Sequence, residues 1–436
     1  MNRKALQWLY DELPTLVSEG VLTGEGAERL RQHYGEGEPR SGRRIALTVC
    51  SILGAVLIGA GVILLLAHNW DDLSRAARTA LSLVPLAAAQ ALAFWALATG
   101  RRSAAWREGL GTYLSLAVGA AIALVAQTYN IPGDTGSFLL TWMLLILPAV
   151  YLLDAVVPAV IYLAGMTAWA GCEQSARGHS AWFWVWMALA LPYFAAHVRR
   201  NPYSPASAVL GWSLAICLGI GMGIVLSPVL ENVWIVLYSL LLAAFYLAGT
   251  VWFRNSPTAW QNPLHSVGAM GIAGLSLLLS FKWLWHEFDY NHLLLLNFAR
   301  PEAWAALLVL GILLVLATAL LPAVRRLDPF RLVYGAMPAM AVGGQWLHSR
   351  WDSRPPAVLF SLYLFALGLT TLVSGIRRGR IGTVNAGLLM LAALIVARFF
   401  DSDLSFVVRG LAFVGVGVGF LVANVVMIKR MKGGAQ

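Results

Sequence analysis

From Ile45 onward, apolar stretches follow one another with only short polar interruptions. Each can form a helix that crosses a membrane, which takes about 20 residues. The pattern predicts fourteen spans, near 45–67, 77–98, 110–128, 138–153, 155–171, 181–198, 205–227, 232–252, 264–285, 302–322, 329–347, 355–376, 382–399 and 404–428. The narrowest division separates the fourth from the fifth, where only Leu153-Asp154 interrupts the apolar run. As a single helix that run would extend about 50 Å, well beyond a hydrocarbon core of about 30 Å. Pro148 and Pro158 flank the turn this division requires.

Residues 1–44 follow another pattern. Leu6, Leu9, Tyr10, Leu13, Leu16 and Val17 recur at three- and four-residue spacing, one apolar stripe on a helix that Pro14 bends or divides. Gly20 ends it. Thr23 is placed to cap a second helix carrying Ala27, Leu30 and Tyr34. A hairpin this small holds little core of its own, so it is expected to dock on a protein partner. The expected fold is therefore all-α: a polytopic membrane bundle over 45–436, preceded by a cytosolic helical hairpin and basic linker over 1–44.

Composition agrees with that class. Of 436 residues, 59% are apolar and 12% charged, against about 45–50% and about 25% in soluble domains. This excludes a soluble enzyme, a disordered chain and a nucleic-acid binder, despite a net charge of +10. The charge instead reports topology. With the N-terminus inside, 18 Lys and Arg beyond the hairpin fall on the cytoplasmic side, among them Arg107, Arg199, Arg200 and Arg254, and nine fall outside. Merging the fourth and fifth spans would throw every later arginine pair outward, so the bias supports the split and cytoplasmic termini. Cys50, Cys172 and Cys217 form no paired motif and suggest neither a metal site nor a disulfide framework.

The same topology crowds the outer ends with polar and aromatic residues. These are His68 to Asp72, Gln127 to Asp134, Lys282 to Glu287 with Asp289, Tyr290 and His292, Gln345 to Asp352, and Arg398 to Asp403 with Arg409. Twelve of the 17 Trp beyond the hairpin also fall outward, whereas an aromatic belt loads both interfaces. An outer cavity is expected, with Trp70, Gln127, Tyr129, Lys282, Trp285, His286, Gln345, His348, Arg398 and Arg409 as ligand-binding candidates. Arg409 lies inside an apolar run, where a charge costs about 2.5–3.5 kcal/mol on insertion scales unless paired. It reads either as an ion-pair partner of Asp401 or Asp403 or as an anion contact. Gln345, His348 and Asp352 share one helical face if their helix continues that far, as an interhelical contact or a proton relay.

Paired carboxylates Asp71 and Asp72, with His286, offer an alternative catalytic reading by acid–base or metal chemistry; two adjacent acids also suit a solvated helix N-terminus. No metal-ligand spacing, nucleotide loop, dinucleotide fingerprint or nucleophile elbow is present, so no cofactor is expected. Mid-span carboxylates are also missing, which weighs against transport coupled by an intramembrane acid.

The series Trp8, Leu13, Glu19-Gly20-Val21-Leu22, Ala27, Leu30 and Tyr34 resembles the hairpin that opens a bacterial family of predicted membrane proteins, domain of unknown function 2157. His68-Asn69-Trp70-Asp71 and Ala126-Gln127-Thr128-Tyr129-Asn130 resemble that family's first membrane segments. The resemblance covers about the first 150 residues. It implies a bacterial inner-membrane protein with a cytosolic hairpin and carries over no activity or catalytic residue. The leading expectation is a transporter- or flippase-like envelope protein in contact with membrane lipids. A membrane enzyme acting on an envelope lipid or glycan, and a scaffold or sensor signalling through the hairpin, are the alternatives.

Overall fold

The computed structural model describes residues 3–34, 72–100, 103–178, 180–256, 258–286, 301–327 and 331–399, with scattered positions between 407 and 419. All regular structure among the described residues is helical. The chain divides into two compact units, Met1–Arg78 and Thr79–Gln436.

In the first unit, α1 (Arg3–Ser18) carries Pro14 without a break, and Gly20 turns the chain at φ 75°. That left-handed angle is open to glycine at little cost. Thr23 Oγ1 then accepts the Gly26 N–H at 3.2 Å, capping α2 (Gly24–Tyr34) as its position predicts. Leu13 and Ala27 are buried, and α1 packs on α2.

The second unit begins within α3 (Arg75–Ala98) and continues through α4 (Ala104–Thr128), α5 (Thr135–Leu153), α6 (Val156–Arg177), the short pair α7 (Phe183–Ala188) and α8 (Leu191–Arg200), and α9 (Pro205–Val225). After α10 (Ser227–Trp252) and α11 (Pro263–Leu279) come α12 (Lys282–His286), α13 (Pro301–Leu327), α14 (Leu332–Gly335), α15 (Met337–Arg350), α16 (Arg354–Arg378) and α17 (Ile381–Phe399). Nine of these helices are long and apolar enough to cross a membrane among the described residues: α3 to α6, α9, α10, α13, α16 and α17. They coincide with nine of the predicted spans. Predicted spans 45–67 and 404–428 lie outside the described residues, apart from those scattered positions.

Three predicted spans take another form. The segment 181–198 is α7 and α8 on either side of Leu189-Ala190, 264–285 is α11 and α12 on either side of Ser280-Phe281, and 329–347 is α14 and α15 joined at Ala336. Pro192 and Pro338 sit in the first turn of the second piece, where a missing N–H costs no helix bond. Pro85, Pro148 and Pro322, by contrast, lie inside continuous helices.

The split at Leu153-Asp154 is present. Asp154 takes the left-handed conformation at φ 50° and ψ 49°, ending α5 so that α6 can start at Val156. Asp tolerates that region better than other side chains with a Cβ.

Packing centres on α10. It is 72% buried over its apolar stretch, against 22% for α3, and it meets α9, α11, α13 and α15. Lipid tails are as apolar as leucine, so such helices associate by close fit rather than by water exclusion. Gly249 and Gly268 bring the α10 and α11 backbones together, since a Cβ on either would strike backbone atoms of the other helix. Gly375 and Gly387 do the same between α16 and α17, each Cβ falling 2.6 Å from a backbone nitrogen across the pair.

Candidate functional site

Among the described residues, two of the polar clusters lie at helix breaks and draw in side chains from several helices. The first surrounds the α11–α12 break. There the Trp285 Nε1–H donates to the Leu279 carbonyl at 2.7 Å, and Arg398 Nη2 from α17 donates to the Ser280 carbonyl at 2.6 Å and to its Oγ at 3.0 Å. These side chains satisfy carbonyls left open where α11 ends. The Arg398 guanidinium also lies 5.5 Å from the Phe281 ring centre. Trp285 is fully buried, its ring 5.6 Å from His348 and 5.9 Å from Phe360. His286 Nε2 lies 2.8 Å from Ser353 Oγ.

Ser353 also donates its backbone N–H to Asp352 at 2.7 Å. That bond, helped by the Ser353 hydroxyl and nearby cations, holds the exposed Asp352 carboxyl below the usual carboxylate range. The break thus brings Lys282, Trp285, His286, His348 and Arg398 to one end of the second half, and Gln345 is buried on the same α15 as His348. Helix α15 stops at Arg350, so Asp352 lies beyond the helical face that a Gln345–His348–Asp352 relay requires.

The remaining sequence candidates lie elsewhere. Gln127 and Tyr129 are exposed at the end of α4, and the Tyr129 and Thr79 hydroxyls are 3.0 Å apart. Helix α4 packs mainly on α5 and α6, away from the helices that hold Arg398 and Trp285. Asp72 is exposed. Trp70, Asp71 and Arg409 lie outside the described residues. Among the described residues, no three His, Cys, Asp or Glu side chains gather as a metal-binding set.

The second cluster was not singled out by the sequence reading. Asp154, at the end of α5, accepts from Arg107 Nη1 at 2.7 Å, lies 3.5 Å from Arg200 Nη1, and has Oδ1 3.7 Å from His197 Nδ1. Glu108 reaches from α4 to the start of α6, taking the Val156 N–H at 2.8 and 3.0 Å and the Val157 N–H at 2.9 Å. Ala155, in the cap position, has no side chain for this, so a carboxylate from the neighbouring helix supplies the negative charge that a helix N-terminus favours. Tyr193 lies against His197, the rings tilted by 47° with centres 4.8 Å apart, and is 5% exposed. Its hydroxyl, His197 Nδ1 and Arg107 Nε are buried with no hydrogen-bond partner among the described residues.

Beside this cluster lies a cavity of about 540 Å³, with Ala96, Leu97, Leu110 and Leu152 as apolar lining and Arg107 and Asp154 as its polar groups. Asp154 was legible as the interruption between two apolar runs, and Arg107 and Arg200 as topology charges. Their meeting, and the parts played by Glu108, Tyr193 and His197, follow from residues about fifty positions apart that share no motif.

The helices of the first half also decide the comparison with known families. Residues 14–159 match the family model described as predicted membrane protein (DUF2157). The match runs from α1 into the first turn of α6. It therefore contains Arg107, Glu108 and Asp154, while the α11–α12 break lies beyond it. No curated protein and no solved structure matches the chain. With nine candidate spans beside that match, the chain is a multi-pass membrane protein.

Proposed function

We propose that this protein is a transporter- or flippase-like component of the bacterial inner membrane, with cytoplasmic termini, handling a lipid, glycan or anionic ligand. The supporting observation is the α11–α12 break, because it gathers cationic, aromatic and histidine side chains where a predicted span is discontinuous. Non-helical backbone at membrane depth is tolerated only inside protein or beside a water-filled cavity. Transporters use such interruptions to place polar backbone and side chains at the substrate. Lys282 and His286 open and close α12, and Arg398 holds its entry. In this reading Arg398 fixes the break while Lys282 and His286 meet the ligand.

The test is reconstitution of the full chain into phosphatidylethanolamine/phosphatidylglycerol liposomes, following fluorescent phosphatidylglycerol by dithionite quenching. Proteoliposomes should expose inner-leaflet label faster than empty vesicles, and Lys282→Ala with His286→Ala should slow this at least tenfold without loss of folded protein. Label movement equal to that in empty vesicles, or unaffected by the double substitution, overturns the reading.

A further inference from the structure

We infer that the cavity beside Arg107 and Asp154 is a binding site for one acidic phospholipid, with the phosphate at Arg107 and an acyl chain along the apolar wall. This does not rest on the transport reading, since it concerns another cluster and requires no movement of the lipid.

Four observations converge. The cavity, at about 540 Å³, lies within the range of roughly 300–1,000 Å³ typical of small-molecule sites. Its lining is amphiphilic: leucine and alanine make the wall, and one ion pair makes the polar end. Leu97 and Leu152 are 47% and 67% exposed, so the wall opens to the side on which an acyl chain would enter.

The chemistry of the polar end selects an anion. Arg107 donates Nη1 to Asp154, yet a third of its side chain remains exposed at the cavity, and its buried Nε has no partner among the described residues. The planar guanidinium also matches a phosphate in geometry. Asp154 does not cancel the local positive charge, because it is shared between Arg107 and Arg200, the latter 70% exposed. Glu108 is committed to the N–H groups of α6. An anionic headgroup therefore gains more here than a zwitterionic one.

The surroundings suit a headgroup depth as well. Trp95 and Trp106 pack edge to face, 5.9 Å apart, at the junction of α3 and α4. Tryptophan is enriched at membrane interfaces. Arg107, Asp154 and Arg200 belong to the side that the basic-residue bias assigns to the cytoplasm, where acidic lipids attract basic side chains.

Native mass spectrometry and thermal melting of the delipidated full chain in detergent test this, with phosphatidylglycerol, phosphatidylcholine and inorganic phosphate titrated separately. One phosphatidylglycerol should remain bound and raise the melting temperature, with phosphatidylcholine at least tenfold weaker and phosphate alone without effect. Leu152→Trp, which fills the cavity from its exposed side, should weaken phosphatidylglycerol binding at least tenfold. Arg107→Gln alone leaves Asp154 to Arg200 and His197, so the charge is tested in Arg107→Gln/Asp154→Asn/Arg200→Gln, which should bind both lipids equally. Equal affinity of the unaltered protein for the two lipids overturns the proposal, as does unchanged binding in both variants. Stabilisation by inorganic phosphate matching that by phosphatidylglycerol assigns a free-anion site and overturns the lipid.

Discussion

The α11–α12 break and the α5–α6 break are repaired by the same device and end in opposite states. At each, a charged side chain from another helix satisfies backbone groups that the break leaves open. Arg398 donates to the Ser280 carbonyl in one, and Glu108 accepts from the Val156 and Val157 N–H groups in the other. Around Ser280 the space is then filled, with Trp285 and Phe360 both fully buried. Around Asp154 it is not filled: a cavity remains beside the ion pair. A crowd of polar residues in sequence therefore marks where backbone needs repair. What differs between the two regions is the volume left over after the repair.

The comparison breaks most easily at its packed side. Trp285→Ala removes a fully buried ring that touches His348 and Phe360. It should cost about 3–5 kcal/mol, the scale of large-to-small core changes. Leu152→Ala, on the exposed lining of the cavity, should stay within about 0.5 kcal/mol. Denaturant titration of the two variants in the same micelle measures both. Similar costs would mean that the two regions are packed alike and would remove the contrast.

The next effect sharpens the shared device. Arg398→Ala leaves the Ser280 carbonyl without its charged donor and should cost about 1.5–3 kcal/mol, the range for hydrogen bonds to charged groups. Glu108→Ala removes the cap of α6 and should cost about 1–2 kcal/mol. Glu108→Gln, which keeps an acceptor oxygen, should recover most of the loss. If Gln is as damaging as Ala, charge rather than hydrogen bonding carries the cap, and the symmetry with Arg398 holds only in part.

These elements also show what could be read from the sequence. Nine spans follow from hydropathy because each is a continuous run of the right length, and the hairpin follows from its three- and four-residue apolar spacing with Gly20 and Thr23 between the helices. The α5–α6 division was legible because Asp154 is both a charge that arrests the run and a residue at ease at positive φ. The three broken helices were not legible as breaks. An apolar run does not register one or two residues that only tighten the helical turn while staying in the right-handed region, as at Leu189-Ala190 and Ala336. Proline alone does not resolve them, since Pro192 and Pro338 open new pieces while Pro85 and Pro148 continue old ones. The Ser280 break has only the charge of Lys282 as a local signal. Its donor, Arg398, is 118 positions away, and only the fold brings the two together. Half of the outer candidates were likewise placed by the fold, with Lys282, Trp285, His286, His348 and Arg398 at one break and Gln127 and Tyr129 apart from them.

The smallest effect concerns the rim of the packed cluster, where Asp352 and Ser353 adjoin His286. The Ser353 N–H holds the Asp352 carboxyl below its ordinary range. A carboxyl with a folded value below its unfolded one stabilises the fold above the unfolded value, and that contribution is lost as pH falls through the folded one. Thermal melting should therefore place the unaltered protein above Asp352→Asn near pH 6, with the gap closing below about pH 4, the ordinary range for Asp. Asp352 is exposed, so the gap should be small and should shrink in high salt. A gap that widens on acidification would require a carboxyl protonated on folding. That would make this rim a desolvated site rather than a satisfied one, and its place in the repaired cluster around Ser280 would fall.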